Sequence, residues 1–254
     1  MRYAGIDIGS RTIELVVVDE AGQILGSRQE DTGFDPLVRA KEMTRGLAYD
    51  CIMATGYGRN LFEISFEART VTEIKAHAVG ARFFFPQGTT VLDIGGQDSK
   101  AISMFDNGKV KKFEMNDRCA AGTGKFMEIM ATSLGFEIDR FGDEALQGKK
   151  ELHISSMCTV FAESEVTSLI AKGHKPQDIA MGLHKSVISR VAGMIKRVSG
   201  QGDIVFTGGV AHNPCMQHLL AEKLARKVLV PENPQLIGAL GAALLARDAV
   251  EGHC

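Results

Sequence analysis

The sequence predicts an α/β protein built by internal duplication, and three observations carry that prediction. Residues 6–24 (IDIGSRTIELVVVDEAGQI) align without a gap with residues 92–110 (LDIGGQDSKAISMFDNGKV) at an offset of 86, the separation of Asp7 from Asp93. A third short strand, residues 204–207, runs into Gly208-Gly209 and a helix start at Asn213-Pro214. The composition, 44% apolar and 24% charged over 254 residues, is that of a globular chain long enough for one large domain or two small ones.

Charge and hydropathy exclude several classes of function. A net charge of −2 gives no electrostatic footprint for nucleic acid or an acidic membrane. No apolar run reaches the roughly 18 residues of a membrane span, and Met1-Arg2-Tyr3 leads straight into a strand-like segment. The expectation is a cytoplasmic protein with neither nucleic acid nor membrane as partner.

Within the repeat, Asp7 meets Asp93, Ile8 meets Ile94, Gly9 meets Gly95 and Gly22 meets Gly108. Each copy reads as an apolar strand ending in Asp, a glycine turn, an alternating strand and a second Gly turn. Glycine lets the backbone turn tightly enough for successive N–H groups to face an anion. An aspartate at the end of the strand can hold Mg²⁺, usually through water. Two such hairpins facing each other would clamp a polyphosphate from both sides.

The third glycine site, DIVFTGGVAHNP (203–214), is a buried strand, a turn and a helix carrying Met216, Leu219, Leu220 and Leu224 at core spacing. Glycines there allow a flat ring to lie against the backbone. Pro231 and Pro234 then break the chain before LIGALGAALLARDAV, where Ile237, Leu240, Leu244 and Leu245 form one apolar stripe.

RCAAGTGKF (118–126) is not a Walker A loop, which requires glycine at Cys119 and Ser or Thr at Phe126. Phe126, Ile129, Met130 and Leu134 fall at helical spacing, so Cys119 is expected at or just before a helix N-terminus, where a thiolate is favoured. SSMCTVFAESEV (155–166) repeats the arrangement with Cys158, ahead of a helix bearing Ala162, Val166, Leu169 and Ile170 and ending near Gly173. Cys51 reads as a buried strand residue and Cys254 as a chain end. A twofold dimer would give four thiolates to one centre, either a [4Fe–4S] cluster or a zinc ion.

The motifs Asp7-x-Gly-Ser, Asp93-x-Gly-Gly-Gln-Asp and Thr207-Gly-Gly-Val-Ala-x-Asn resemble the phosphate-1, phosphate-2 and adenosine motifs of the actin, heat-shock chaperone ATPase and sugar kinase superfamily. That resemblance implies two duplicated actin-like (ribonuclease H-like) ATPase domains, with mixed sheets and a nucleotide cleft between them. The division expected is 1–85, joined by a C-terminal helix 236–254, and 86–235, which carries both cluster cysteines. NDRCAAGTGKF, MCTVFAESEV and ATGYGR (54–59) look like the activators of 2-hydroxyacyl-CoA dehydratases and the related ATPase subunits of benzoyl-CoA reductases, over Gly5 to about Ala246. What this implies is a homodimer with one bridging [4Fe–4S] cluster on Cys119 and Cys158. Ferredoxin or flavodoxin would donate the electron, and ATP hydrolysis would drive it into a dehydratase or related iron–sulfur reductase.

The site residues follow. Asp7 and Asp93 are assigned to Mg²⁺, and Gly9, Ser10, Arg11, Gly95 and Gly96 to phosphate. Gln97 or Asp98 would position the attacking water, with Glu73 of VTEIKAHA a further candidate against its reading as a solvated helix face. Gly208, Gly209 and Asn213 would flank adenosine. The seven histidines show no ligand spacing. Many family members have lysine where this chain has Glu14, which is expected to face solvent; lysine appears only in the second copy, as Lys100. The rival readings are a small-molecule kinase of the same superfamily and an actin-like assembly protein.

Overall fold

Apolar runs flanked by turns form the strands, and the computed structural model, which describes residues 1–66, 68–154 and 158–249, arranges them in two sheets. The first contains β1 (Arg2–Ile8), β2 (Thr12–Asp19), β3 (Ile24–Asp31), β4 (Cys51–Thr55) and β5 (Arg69–Thr70). The chain inserts α1 (Pro36–Thr44) and α2 (Arg59–Phe66) among them and then α3 (Glu73–Phe84). The second contains β6 (Thr90–Ile94), β7 (Ser99–Met104), β8 (Val110–Asn116), β9 (Ile204–Thr207) and β10 (Val228–Leu229). Four helices separate β8 from β9: α4 (Gly124–Ser133), α5 (Phe141–Leu146), α6 (Thr159–Ala171) and α7 (Pro176–Val198). Helix α8 (Pro214–Leu224) precedes β10, and α9 (Ile237–Ala249) follows it.

The duplication predicted from one hairpin extends to a whole sheet. The strand orders, β3-β2-β1-β4-β5 and β8-β7-β6-β9-β10, are the same. β1 runs antiparallel to β2 and parallel to β4, as β6 does to β7 and β9. The outer hairpins even share a register shift, at Val17/Val18 and Ser103/Met104, again 86 residues apart. Gly22 and Gly108 close the two turns with the same φ of 82°. What differs is the connection to the fourth strand of each sheet. One short helix lies between β3 and β4, whereas α4 to α7, with both sequence-predicted cluster cysteines among or beside them, lie between β8 and β9.

Side-chain caps start several helices, among them the one expected at Asn213-Pro214. Asp35 accepts from the amides of Leu37 and Val38, Thr72 from Lys75, and Asn213 from Met216, with Pro36 and Pro214 opening their helices. Phe126 and Met130 of α4 and its C-cap Leu134 are buried, and Ile129 is half-buried, as their spacing requires.

The last helix departs from expectation. Instead of one apolar stripe, α9 is buried nearly all round, because it packs between α3 and strands β1, β2 and β4 of the first sheet. Small residues permit that approach. A Cβ on Gly241 would overlap the carbonyl of Ala76, and one on Gly5 would overlap the α9 backbone at Ala239. The end of the expected helix 236–254, with Cys254, and residues 155–157 of the second cysteine motif lie outside the described residues. Among the described residues, no helix is long and apolar enough to cross a membrane.

The α3–α9 contact yields a stability prediction. Gly241→Ala should cost about 1–3 kcal/mol, typical of an overpacked site, or a fall in Tm of roughly 2–10 °C at this chain length. Gly26→Ala, in β3 with open space around it, serves as the control. Equal melting temperatures for the two variants would refute the close contact.

Candidate functional site

Strand register, rather than sequence proximity, assembles the site. Asp7, next to last in β1, lies beside Glu14 on one side and Thr55 on the other. Asp93, next to last in β6, lies beside Lys100 and Thr207 in the same register. The two buried aspartates flank His77 of α3, whose Nε2 lies 3.8 Å from Asp7 Oδ2 and whose Nδ1 lies 3.4 Å from Asp93 Oδ1. His77 is a site residue that the spacing search for histidine ligands passes over. Its signal was present in VTEIKAHA, because Glu73 and His77 are four residues apart and share a helix face.

The pseudo-equivalent neighbours behave oppositely. Lys100 is buried and its Nζ lies 3.2 Å from Asp93, 2.7 Å from Asp98 and 2.7 Å from Glu73. Burial opposes its charge, but Asp93, Glu73 and Asp98 overcome that and raise the ammonium pKa. Asp93 also accepts from the Thr207 hydroxyl at 3.0 Å. Burial would raise its pKa, yet His77, Lys100 and Thr207 hold it below the ordinary value. On the other side, burial and then Glu14 and Glu73 push Asp7 well above the usual carboxylate range.

Glu14 does not face solvent, contrary to the sequence reading. Its face of β2, shared with Val16 and Val18 that pack on α9, is turned inward, leaving the residue 5% exposed. Burial raises its pKa to about 7, with the Thr12 hydroxyl opposing the shift. Glu73 likewise is no solvated helix face, since it bonds Lys100 and lies 3.7 Å from Arg59. The ion pair with Lys100 brings Asp98 and Glu73 together; Gln97 lines the same cleft but is exposed.

The glycine turns face each other. Gly9 N–H donates to Thr12 O at 3.1 Å and Gly95 N–H to Asp98 O at 3.0 Å, so both turns close alike. A Cβ on Gly96 would meet the Cβ of Arg11 at 2.8 Å, so the turns abut. Arg11 extends to Glu128 of α4 at 3.8 Å and Asp31 at 3.9 Å, both exposed or half-exposed pairs. Thr55-Gly56 and Thr207-Gly208 follow the same pattern at the fourth strands. Gly56 and Gly208 have φ of 89° and 83°, and any side chain there would strike the strand bearing Asp7 or Asp93.

A cleft of about 1060 Å³ is bounded by these turns, Glu14, His77, Gly208, Gly209 and Asn213, large enough for a small-molecule ligand. Asn213 is held by buried His184, whose Nε2 accepts from Asn213 Nδ2 at 3.0 Å while Nδ1 faces Ala180 O at 2.8 Å. This requires the neutral ring, and burial lowers its pKa to about 4.

The cysteine segments differ from their predicted form in one case. Cys119 is not at a helix start: α4 begins at Gly124, and its first amides are already taken. Gly124 and Lys125 donate to the carbonyls of Gly95 and Gly96, each at 2.8 Å, which ties α4 to the second glycine turn. Burial would raise the Cys119 pKa, but hydrogen bonding from Arg190 and the Ala121 backbone lowers it. Cys158 does open a helix, as the exposed N-cap of α6. Cys51 is buried at the start of β4, as expected. Cys215 is also buried, and burial pushes its thiol up to about 12. Among the described residues, no group of three or more His, Cys, Asp or Glu is placed to hold a metal.

Two duplicated sheets with paired aspartates and glycine turns across a cleft define the actin-like ATPase and sugar kinase class of fold. Within that class the chain belongs to the BadF/BadG/BcrA/BcrD ATPase family, whose model matches residues 4–246. It is 42% identical to the activator of lactoyl-CoA dehydratase of Anaerotignum propionicum, over 99% of each chain. It is similar to the structure of the activator of the 2-hydroxyisocaproyl-CoA dehydratase from Clostridium difficile with bound ADPNP, at a TM-score of 0.90 and 38% identity, covering 99% of this chain and 96% of that one. The Acidaminococcus fermentans (R)-2-hydroxyglutaryl-CoA dehydratase component A is similar at a TM-score of 0.91 and 38% identity, over 98% of both chains.

His184 gives the site a pH dependence with a definite sign. Its pKa falls from 6.5 to about 4 on folding, so the unfolded chain binds the extra proton and stability is lost as pH drops through that interval. At about 1.4 kcal/mol per pKa unit the loss approaches about 3 kcal/mol. The stability advantage of wild type over His184→Gln, measured by urea unfolding, should therefore shrink between pH 7 and pH 4.5. A constant difference would contradict the neutral buried ring.

Proposed function

We propose that this chain is an ATP-dependent activator acting as a homodimer with a bridging [4Fe–4S] cluster. It would take an electron from ferredoxin or flavodoxin and deliver it, with ATP hydrolysis, to a 2-hydroxyacyl-CoA dehydratase or a related iron–sulfur reductase. The observation that carries the reading is the pair of cysteines in a chain matched over residues 4–246 to this ATPase family. Relatives bearing the names of dehydratase activators support the acceptor class. A protein with these partners works in the cytoplasm.

The polyphosphate of ATP lies between the turns at Gly9, Ser10, Arg11 and at Gly95, Gly96, where backbone amides and the Arg11 guanidinium meet its charge. Gly208, Gly209 and Asn213 bound the adenosine. Asp7 and Asp93 hold Mg²⁺, and the orphaned oxygen of Glu14 beside Asp7 fits a cation in that place. When bound, Mg²⁺ neutralises phosphate charge. Lys100 holds Asp98 and Glu73, so either carboxylate, or Gln97 beyond them, can orient a water toward the terminal phosphate.

The donor set fits an iron–sulfur cluster shared by two chains. Cys119 has a lowered pKa, and Cys158 stands at the positive end of α6 beside exposed Val160 and Phe161, an apolar surface suited to a second copy. When bound, the cluster supplies the one-electron carrier. The chain's own residues link it to the nucleotide: α4 hangs from Gly95 and Gly96 by two amides, and Arg11 pairs with Glu128 of the same helix. A change in the glycine turns is thereby passed to the segment carrying Cys119.

The deciding experiment is anaerobic purification, with iron analysis and visible absorption. The expected result is a brown protein with about four irons per dimer; a colourless, iron-free ATPase would end the activator reading. Cys119→Ala and Cys158→Ala should each lose nearly all iron, and Cys215→Ala should keep it. Four irons per monomer would rule out the shared site.

The cleft is tested separately. Asp7→Asn and Asp93→Asn should lower ATP hydrolysis by at least about a hundredfold, the scale of removing one preorganised electrostatic group, with the dimer and its iron retained. Wild-type hydrolysis in both would remove the aspartates from the reaction.

A further inference from the structure

The two halves of the cleft match in backbone but not in hydrogen bonding. In the second half both strand neighbours of Asp93 are bonded to it, Lys100 at 3.2 Å and Thr207 at 3.0 Å. In the first half the equivalent neighbours of Asp7 are Glu14 and Thr55. Glu14 Oε1 and Thr55 Oγ1 are the buried side-chain polar atoms found without a hydrogen-bond partner among the described residues. Both residues exceed nine-tenths burial, at 5% and 0% exposed, and Glu14 lines the cleft together with Asp7. Leaving a buried polar atom unpaired carries the full cost of its desolvation, so two of them beside one buried carboxylate mark a place where something binds.

The chemistry of the place selects what binds. Two carboxylates meet across adjacent strands, and an antiparallel neighbour pair holds its Cβ atoms about 4.5–5.5 Å apart. An anion is repelled there. A soft metal finds no thiolate or free imidazole, because His77 is already placed between the two aspartates. A hard divalent cation, which takes oxygen ligands and keeps several waters, suits two carboxylates and a hydroxyl.

We infer that Glu14 and Asp7 together form this chain's divalent-cation site, on the first-hairpin side of the cleft, with the Thr55 hydroxyl bonding the cation's water. The site deepens the nucleotide reading and rests on it for its place beside the phosphates. Lys100, occupying the equivalent position in the second hairpin, supplies a fixed positive charge there, so the cation is directed to Asp7 and not shared equally with Asp93.

The test is direct Mn²⁺ binding, followed by loss of the free-ion EPR signal, on the full chain with and without ADP. ADP binding in EDTA is measured in parallel. Glu14→Gln, which keeps shape and removes charge, should weaken Mn²⁺ by about tenfold or more, the scale of losing a supporting ligand. Glu14→Asp should fall between it and wild type, and Thr55→Val should show a smaller loss. ADP affinity in EDTA should be unchanged in Glu14→Gln. Mn²⁺ affinity within twofold of wild type in Glu14→Gln would overturn the assignment. Absence of ADP binding to wild type would instead overturn the nucleotide reading, and the nucleotide-free Mn²⁺ comparison would still decide the cation site.

Discussion

Two buried aspartates facing each other across His77 set the terms for the rest of the cleft. Carboxylates taken out of water resist ionisation, and a second one nearby adds to the cost. The fold resolves this unequally. His77, Lys100 and Thr207 together hold the Asp93 pKa down against burial, while burial and Glu14 raise that of Asp7. One half of the cleft thus carries its own counter-charge in Lys100, whereas the other has Glu14 at the equivalent position of the matched backbone.

The same asymmetry appears in the connections. Among the described residues, the first half has one short helix between its third and fourth strands and the second has four. Those helices bring Cys119 and Cys158 to the second half and anchor α4 on the Gly95-Gly96 turn. Arg190 of α7 reaches Ala121 at 2.9 Å, so the stretch just after Cys119 is held twice, by α7 and by the turn through α4. The Gly95-Gly96 turn and the cysteine segment are thereby joined by a continuous path of hydrogen bonds and backbone. On the first half, α9 supplies the opposing rigidity by burying almost every face against α3 and the sheet.

The sequence alone determined what depends on local chemistry and on order along the chain. The 86-residue offset predicted two matched hairpins, since strand alternation and turn glycines are written locally, and the match extends to the register shift and to φ at Gly22 and Gly108. The helix starts at Asn213 and Cys158 were legible for the same reason, and so were the glycine turns now lining the cleft. What only the tertiary structure decided are the encounters between distant segments. Glu14 alternates with apolar neighbours in a way that suits an exposed strand face, and only packing at the cleft shows that this face is buried. His77 carries no ligand spacing because its partners, Asp7 and Asp93, come from two different sheets. Lys125 and Gly124 looked like the amides of an open helix end until the carbonyls of Gly95 and Gly96, some thirty residues earlier, were found to occupy them. Such contacts depend on how the two sheets are set against each other across α3 and α9, and no single stretch of sequence encodes that placement.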